Sequence, residues 1–282
     1  MINALFDYQF LQNALFGGVL ASIVCGIIGV IIVEKKLVMM SGGIAHTSYG
    51  GVGLGYLLGF EPLIGAFMFS ICASLGIGYI KRKGGARFDV IIGLFWSLGM
   101  ALGILFISLM PGYPPDLSSY LFGNILSITK TDLYLMITLT LVVVLVIFSL
   151  YNDWKAYLFD EEFASIIGIK TVFLDYLLLV LVAMTVVVLI RVVGIILVIA
   201  LLTAPAATAC LLTSSLKYRI FYSIVFGNIF CIAGLWVSYE LNIASGAAIV
   251  VLSVICYLLL YALHVIHSKT KGKKLETPVE DH

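Results

Sequence analysis

Long apolar blocks separated by short polar segments make up most of the chain. A transmembrane helix needs about 20 consecutive apolar residues, and backbone groups in the bilayer must be bonded within the segment. The pattern therefore predicts an all-α, polytopic transmembrane bundle with eight or nine spans. The nine predicted spans cover 13–33, 39–59, 62–80, 89–110, 133–150, 171–190, 192–212, 220–238 and 246–266.

The count depends on the two blocks that flank Arg191. At about 1.5 Å per residue, the segment from Thr171 to Leu212 is long enough for two crossings joined by a tight turn at Arg191–Gly194. If one block is re-entrant, eight spans remain.

If the spans cross the membrane in turn, the loops on one side are rich in Lys and Arg and the loops on the other side are poor in them. Since cytoplasmic loops are enriched in Lys and Arg, the N-terminus is expected outside and the C-terminus in the cytosol. Residues 1–268 form the predicted transmembrane domain, and 269–282 a cytosolic tail of mixed charge. The poor side holds Lys130 and Arg191; the rich side holds Lys35, Lys36, Lys81, Arg82, Lys83, Arg87, Lys155, Lys170, Lys217, Arg219, Lys269, Lys271, Lys273 and Lys274.

The composition of the chain also indicates a membrane protein, and its net charge bears on the class of partner. Hydrophobic residues make up 62% of the chain and charged residues 11%, against about 25% charged in soluble domains. The net charge of +1 argues against a nucleic-acid partner.

A short cytosolic helix is predicted over 161–167. Asp160 suits an N-cap, Glu161 and Glu162 oppose the helix dipole, and Gly168 suits a left-handed helix end. The side chains that share its apolar face are Phe163, Ile166 and Ile167. This face either lies on the protein's own helices or in the lipid interface, or it docks on a cytosolic partner.

His46 is the one histidine that lies deep within a predicted span, in a segment rich in Gly and hydroxyl residues. Small residues indicate close helix packing, with the imidazole satisfied by a Ser, Thr or backbone partner. The alternative is a substrate or metal ligand on a central path, since imidazole is the commonest metal-binding side chain. Both interpretations stay open on the residues alone; Met39, Met40 and Cys210 are weaker, soft-ligand candidates.

Motifs for catalysis are absent from the sequence. There is no G-x-x-x-x-G-K-[ST] loop for nucleotide hydrolysis, no H-E-x-x-H and no G-x-S-x-G. The chain is therefore expected to be a transport protein rather than an enzyme, and if ATP drives it, the ATPase is another polypeptide.

Four ordered blocks resemble the ABC-3 type permease subunits of bacterial ABC importers for zinc, manganese and iron. The blocks are Ser41–Gly53 around His46, Asp116–Leu126, Phe159–Ala164 with Gly168 and Ile169, and Val193–Leu197 through Pro205–Ala209. The resemblance covers most of the chain.

The resemblance implies a homodimer in the bacterial cytoplasmic (inner) membrane above two copies of a cytosolic ABC ATPase. The segment 160–168 would couple to the ATPase, and an extracellular or periplasmic metal-binding protein would deliver the ion. No cofactor is bound permanently; the divalent ion is the substrate. His46 matches the histidine of the family's Asp-x-x-x-His metal pair, but Gly42 stands where the family has Asp.

Two alternative functions remain open. The loss of a carboxylate at Gly42 is compatible with an ABC permease for a non-metal substrate such as a siderophore or vitamin. An ion-coupled secondary carrier would need no ATPase, but it would need an acidic residue near the midplane, and the sequence offers no convincing one.

Overall fold

The computed structural model describes residues 8–83, 87–112, 123 and 125–275, without the side chains of Phe88 and 267–275. No strand occurs in this part of the chain, and a 3₁₀ turn covers Ile125–Ser127. The helices are α1 (Gln9–Glu34), α2 (Val38–Leu58), α3 (Pro62–Lys83), α4 (Phe88–Ser108), α5 (Lys130–Ser149), α6 (Tyr151–Phe159), α7 (Glu161–Ile166), α8 (Thr171–Val193), α9 (Ile195–Leu212), α10 (Leu216–Leu241) and α11 (Ser245–Leu275).

The long helices match the predicted spans one for one, so the all-α polytopic bundle is confirmed. Eight of them are long and apolar enough to cross a membrane. The ninth, α2, is as long as its neighbours but is diluted by Gly and hydroxyl residues, and most of its side chains are buried. The tight join predicted near Arg191 is present, since α8 ends at Val193 and Gly194 turns the chain with φ 79°.

Close packing around α2 requires small residues. A Cβ on Gly51 would overlap the backbone of Gly65 in α3, and one on Gly99 in α4 would overlap Thr47. Because these positions carry only hydrogen, α3 and α4 both approach the backbone of α2 closely.

Ion pairs at the helix ends separate the two sides of the bundle. At one side Arg191 Nε lies 2.8 Å from Asp132 Oδ1, and its Nη1 lies 2.9 Å from Glu61 Oε1. The opposite side holds Lys35 with Glu161 and Arg219 with Glu34. This grouping of ends is the one that the basic-residue alternation predicts; which side faces the cytosol stays a prediction.

The segment between α5 and α8 contains one helix more than predicted. The structure adds α6, whose Trp154 and Tyr157 are almost completely buried. A nine-residue helix in which Asn152, Asp153 and Lys155 interrupt the apolar residues has too weak a periodicity to be recognised from sequence. The predicted short helix is present as α7, one residue shorter than expected.

The division into a transmembrane domain and a tail from 269 stays a prediction. The last helix, α11, continues to Leu275, and its candidate membrane span is Ser245–Ile266. Most of the 116–126 block and all of 276–282 lie outside the described residues.

Candidate functional site

His46 is distinguished by its exposure. From Met40 to Gly53 every residue of α2 is buried except His46, which is partly exposed. The Thr47 hydroxyl beside it is bonded elsewhere, since its single proton is shared between the carbonyl oxygens of Gly43 (2.7 Å) and Phe95 (3.0 Å). His46 Nδ1 is buried without a hydrogen-bond partner among the described residues. The hydrogen bond expected of a purely packing histidine is therefore not found there.

Trp96 of α4 stacks on the imidazole. The ring centroids lie 4.1 Å apart and the planes are inclined by 10°. This contact fixes the plane of the imidazole from one side. Sequence reasoning missed Trp96, because it lies inside a continuous apolar block with no motif around it.

Gly42 lies one turn before His46, on the same face of α2. A Cβ built there would lie 3.7 Å from Trp96 Cζ3 and 3.8 Å from Cδ1 of Ile199 in α9. Both are ordinary van der Waals distances, so a Cβ fits at this position without displacing either neighbour. The indole of Trp96 thus borders both the histidine and the position where the resemblance places a carboxylate.

The structure does not gather a complete metal site within one chain. Among the described residues no three His, Cys, Asp or Glu side chains come together. Of the soft-ligand candidates, Met40 is fully buried, Met39 is 59% exposed, and Cys210 lies at the far end of α9. One imidazole per chain is what this region offers, and its role as a ligand stays a prediction.

A partly exposed strip on α9 continues from this region. Ile199, which faces Gly42, belongs to a set spaced by three or four residues, so its members share one face of the helix. The set consists of Ile196, Ile199, Thr203, Ala207 and Cys210.

The predicted coupling segment is folded as its sequence indicates. Asp160 Oδ1 accepts a hydrogen bond from the backbone N–H of Phe163 at 3.0 Å, and Gly168 has φ 91°. Glu161 Oε2 lies 2.8 Å from Lys35 Nζ, whereas Glu162 is exposed.

The apolar face of α7 is not covered by the rest of the described chain. Phe163 and Ile167 are each 54% exposed, Ile166 is 81% exposed and the neighbouring Phe159 is 90% exposed, while Ala164 is buried. A cavity of about 430 Å³ opens beside this face, between α6 and the start of α10. The structure does not show this face packed on the protein's own helices; a position in the lipid interface and docking on a partner both stay predictions.

The model of one family of membrane proteins, described as the ABC 3 transport family, matches residues 7–264. The chain belongs to the ABC 3 transport family. This ABC 3 chain is 42% identical to an uncharacterized membrane protein of Synechocystis sp., with 92% of each chain covered. It is 37% identical to the manganese transport system membrane protein MntC of Listeria monocytogenes, again over 92% of each.

A solved structure has the same fold. PsaBC from Streptococcus pneumoniae, in complex with Fab, superposes with a TM-score of 0.83 at 35% identity, over 92% of the ABC 3 chain and 94% of the other. The family and permease fold that the sequence resemblance implied are therefore confirmed. The roles of individual residues rest on geometry alone.

Proposed function

We propose that this ABC 3 chain is the membrane-spanning permease subunit of an ATP-driven importer for a divalent metal ion, with Mn²⁺ as the first substrate to test and zinc and iron as the others. The observation that carries the proposal is His46, the partly exposed imidazole in the buried centre of α2. The full-length similarity to a manganese transport protein supports the metal class.

The ion would pass between two copies of the chain. One chain supplies a single imidazole and an open strip on α9, which suits half of a path that a second copy completes. The exposed face of α4 carries Gly93, Ser97 and Ala101 at i, i+4 and i+8, and small residues at this spacing let two helices approach closely. A homodimer built on this face would place His46 near the shared path.

The ATPase would act on the permease through α7. Three apolar side chains on one face of a helix, exposed at a helix-end surface, suit docking into a groove of a cytosolic ABC ATPase. This assignment places α7 in the cytosol of a bacterial cytoplasmic membrane and the N-terminus outside, as the positive-inside rule predicts. An extracellular metal-binding protein would then deliver the ion near the Arg191 end of the bundle.

His46→Ala tests the path. We expect uptake of Mn²⁺ by cells expressing the chain with its ATPase to be abolished, while the complex still assembles in wild-type amounts. His264→Ala, an exposed histidine of α11, is the matched control and should transport normally. Wild-type uptake by His46→Ala would contradict the proposed role.

Phe163→Asp tests the coupling surface. The wild-type chain should co-purify with its ATPase, Phe163→Asp should release it because a charge would be buried in an apolar contact, and Phe163→Leu should retain it. Purification of an active wild-type chain without an ATPase would indicate a secondary carrier instead.

Uptake of Mn²⁺, Zn²⁺ and iron by a strain that lacks this chain tests the substrate class. Normal uptake of all three metals would favour a non-metal substrate.

A further inference from the structure

A buried carboxylate lies at the inner end of α8, away from the proposed metal path. Asp175 is 6% exposed. Its Oδ1 accepts a 2.6 Å hydrogen bond from the hydroxyl of Tyr157 in α6, and its Oδ2 accepts one of 3.3 Å from Arg82 Nη2 in α3. Lys81 Nζ lies 3.9 Å from the same carboxylate. Asp175 therefore joins α8 to the neighbouring α6 and to α3, whose Arg82 is 93 positions away in sequence.

The same tyrosine is held from its other side by the end of α1. Lys35 Nζ lies 3.5 Å from the centroid of the Tyr157 ring and 2.8 Å from Glu161 Oε2 in α7. Because Lys35 is itself only 15% exposed, this cation is screened less by water than a surface lysine would be. A continuous polar chain thus runs from Glu161 through Lys35 and Tyr157 to Asp175.

Chemistry fixes the direction of the central hydrogen bond. Burial, and the hydrogen bond to Asp175, raise the pKa of Tyr157 far above its ordinary value, so the hydroxyl keeps its proton and acts as the donor. If α6 moved away alone, a buried carboxylate oxygen would lose its partner, which is costly. Movement of α6 and α7 is therefore tied to movement of α8 and α3.

We propose that Tyr157 is a positioning residue that transmits displacement of the α7 docking helix, through Asp175 and Arg82, to α8 and α3. The inference rests on the proposed function, because it assumes that an ATPase moves α7. In this arrangement α7 does not move independently of the membrane helices. Glu161 of α7 contacts Lys35, Lys35 contacts the ring of Tyr157, and the Tyr157 hydroxyl donates to the buried Asp175.

The test compares transport with ATP hydrolysis in the reconstituted complex of this chain and its ATPase. Tyr157→Phe removes the hydroxyl but keeps the ring and its contact with Lys35. We expect the variant complex to assemble and hydrolyse ATP at near wild-type rates, while Mn²⁺ transported per ATP falls about tenfold, as loss of a hydrogen bond to a charged group predicts. Lys35→Gln should lower the same ratio. Tyr134→Phe, at the opposite end of the bundle and 70% exposed, is the control and should leave it unchanged.

The outcomes separate this inference from the proposed function. If the wild-type complex does not form or does not transport, the proposed function fails. If the wild type is coupled and Tyr157→Phe keeps the wild-type ratio of transport to hydrolysis, the positioning role is wrong. A proportional loss of both activities, or a loss of assembled complex, would show a purely structural role and would overturn it as well.

Discussion

Replacing Gly42 by Asp should convert the His46 region into a stronger site for a hard dication. The Cβ of the new side chain fits, because it would make only ordinary contacts with Trp96 and Ile199. An Asp at this position would share a helix face with His46 one turn away, so its carboxylate and the imidazole could hold one ion between them. Gly to Asp is also no worse for helix propensity.

The magnitude follows from electrostatics. A carboxylate about 4 Å from a dication gains about 8 kcal/mol at an effective dielectric constant of ~20. Removing the carboxylate from water costs several kcal/mol, which offsets most of this gain. A net gain of about 2 kcal/mol corresponds to roughly 30-fold tighter binding. Because tighter binding also slows release to the other side, the maximal rate should not rise in parallel.

The assay is the concentration dependence of Mn²⁺ uptake, with the apparent KM as the readout. Gly42→Asn is the matched control, since it has the same shape and an amide oxygen but no charge. We expect a large fall in KM for Gly42→Asp and little change for Gly42→Asn. Equal KM values for Asp and Asn, or no change from wild type with either, would show that the ion does not pass this point and would refute the path through His46.

Three further predictions follow from single contacts. Trp96→Leu removes the ring that stacks on the His46 imidazole and should raise the KM for Mn²⁺ uptake several-fold. Trp96→Phe keeps a stacking ring, so its KM should stay near the wild-type value. Asp160→Ala should destabilise α7 by about 1 kcal/mol and speed amide hydrogen exchange there, with Asp160→Asn restoring protection. Arg191→Gln removes the cation beside the buried Asp132 carboxylate, which keeps its hydrogen bonds from Thr129. Because the Arg191 side chain is 36% exposed, we expect stability to fall by only about 1 kcal/mol. A thermal melt in detergent that matches wild type would contradict this.

The long helices and their order could be predicted from sequence because each span must satisfy its own backbone in the bilayer. The same is true of α7, whose cap, acidic first turn and terminal glycine are local signals. The missed elements depend on distant contacts. Helix α6 is stabilised by the burial of Trp154 and Tyr157 against other helices, and no local sequence pattern predicts it.

The sequence alone determined that this chain is a membrane bundle with one histidine inside a span and a short capped helix that has an apolar face, because hydropathy and capping act over a few consecutive residues. Tertiary structure alone placed Trp96 on His46, brought Trp96 and Ile199 beside Gly42 and joined Tyr157 to Asp175. Those contacts link residues 18 to 50 or more positions apart, and the packing of small residues between helices, rather than any local signal, brings them together.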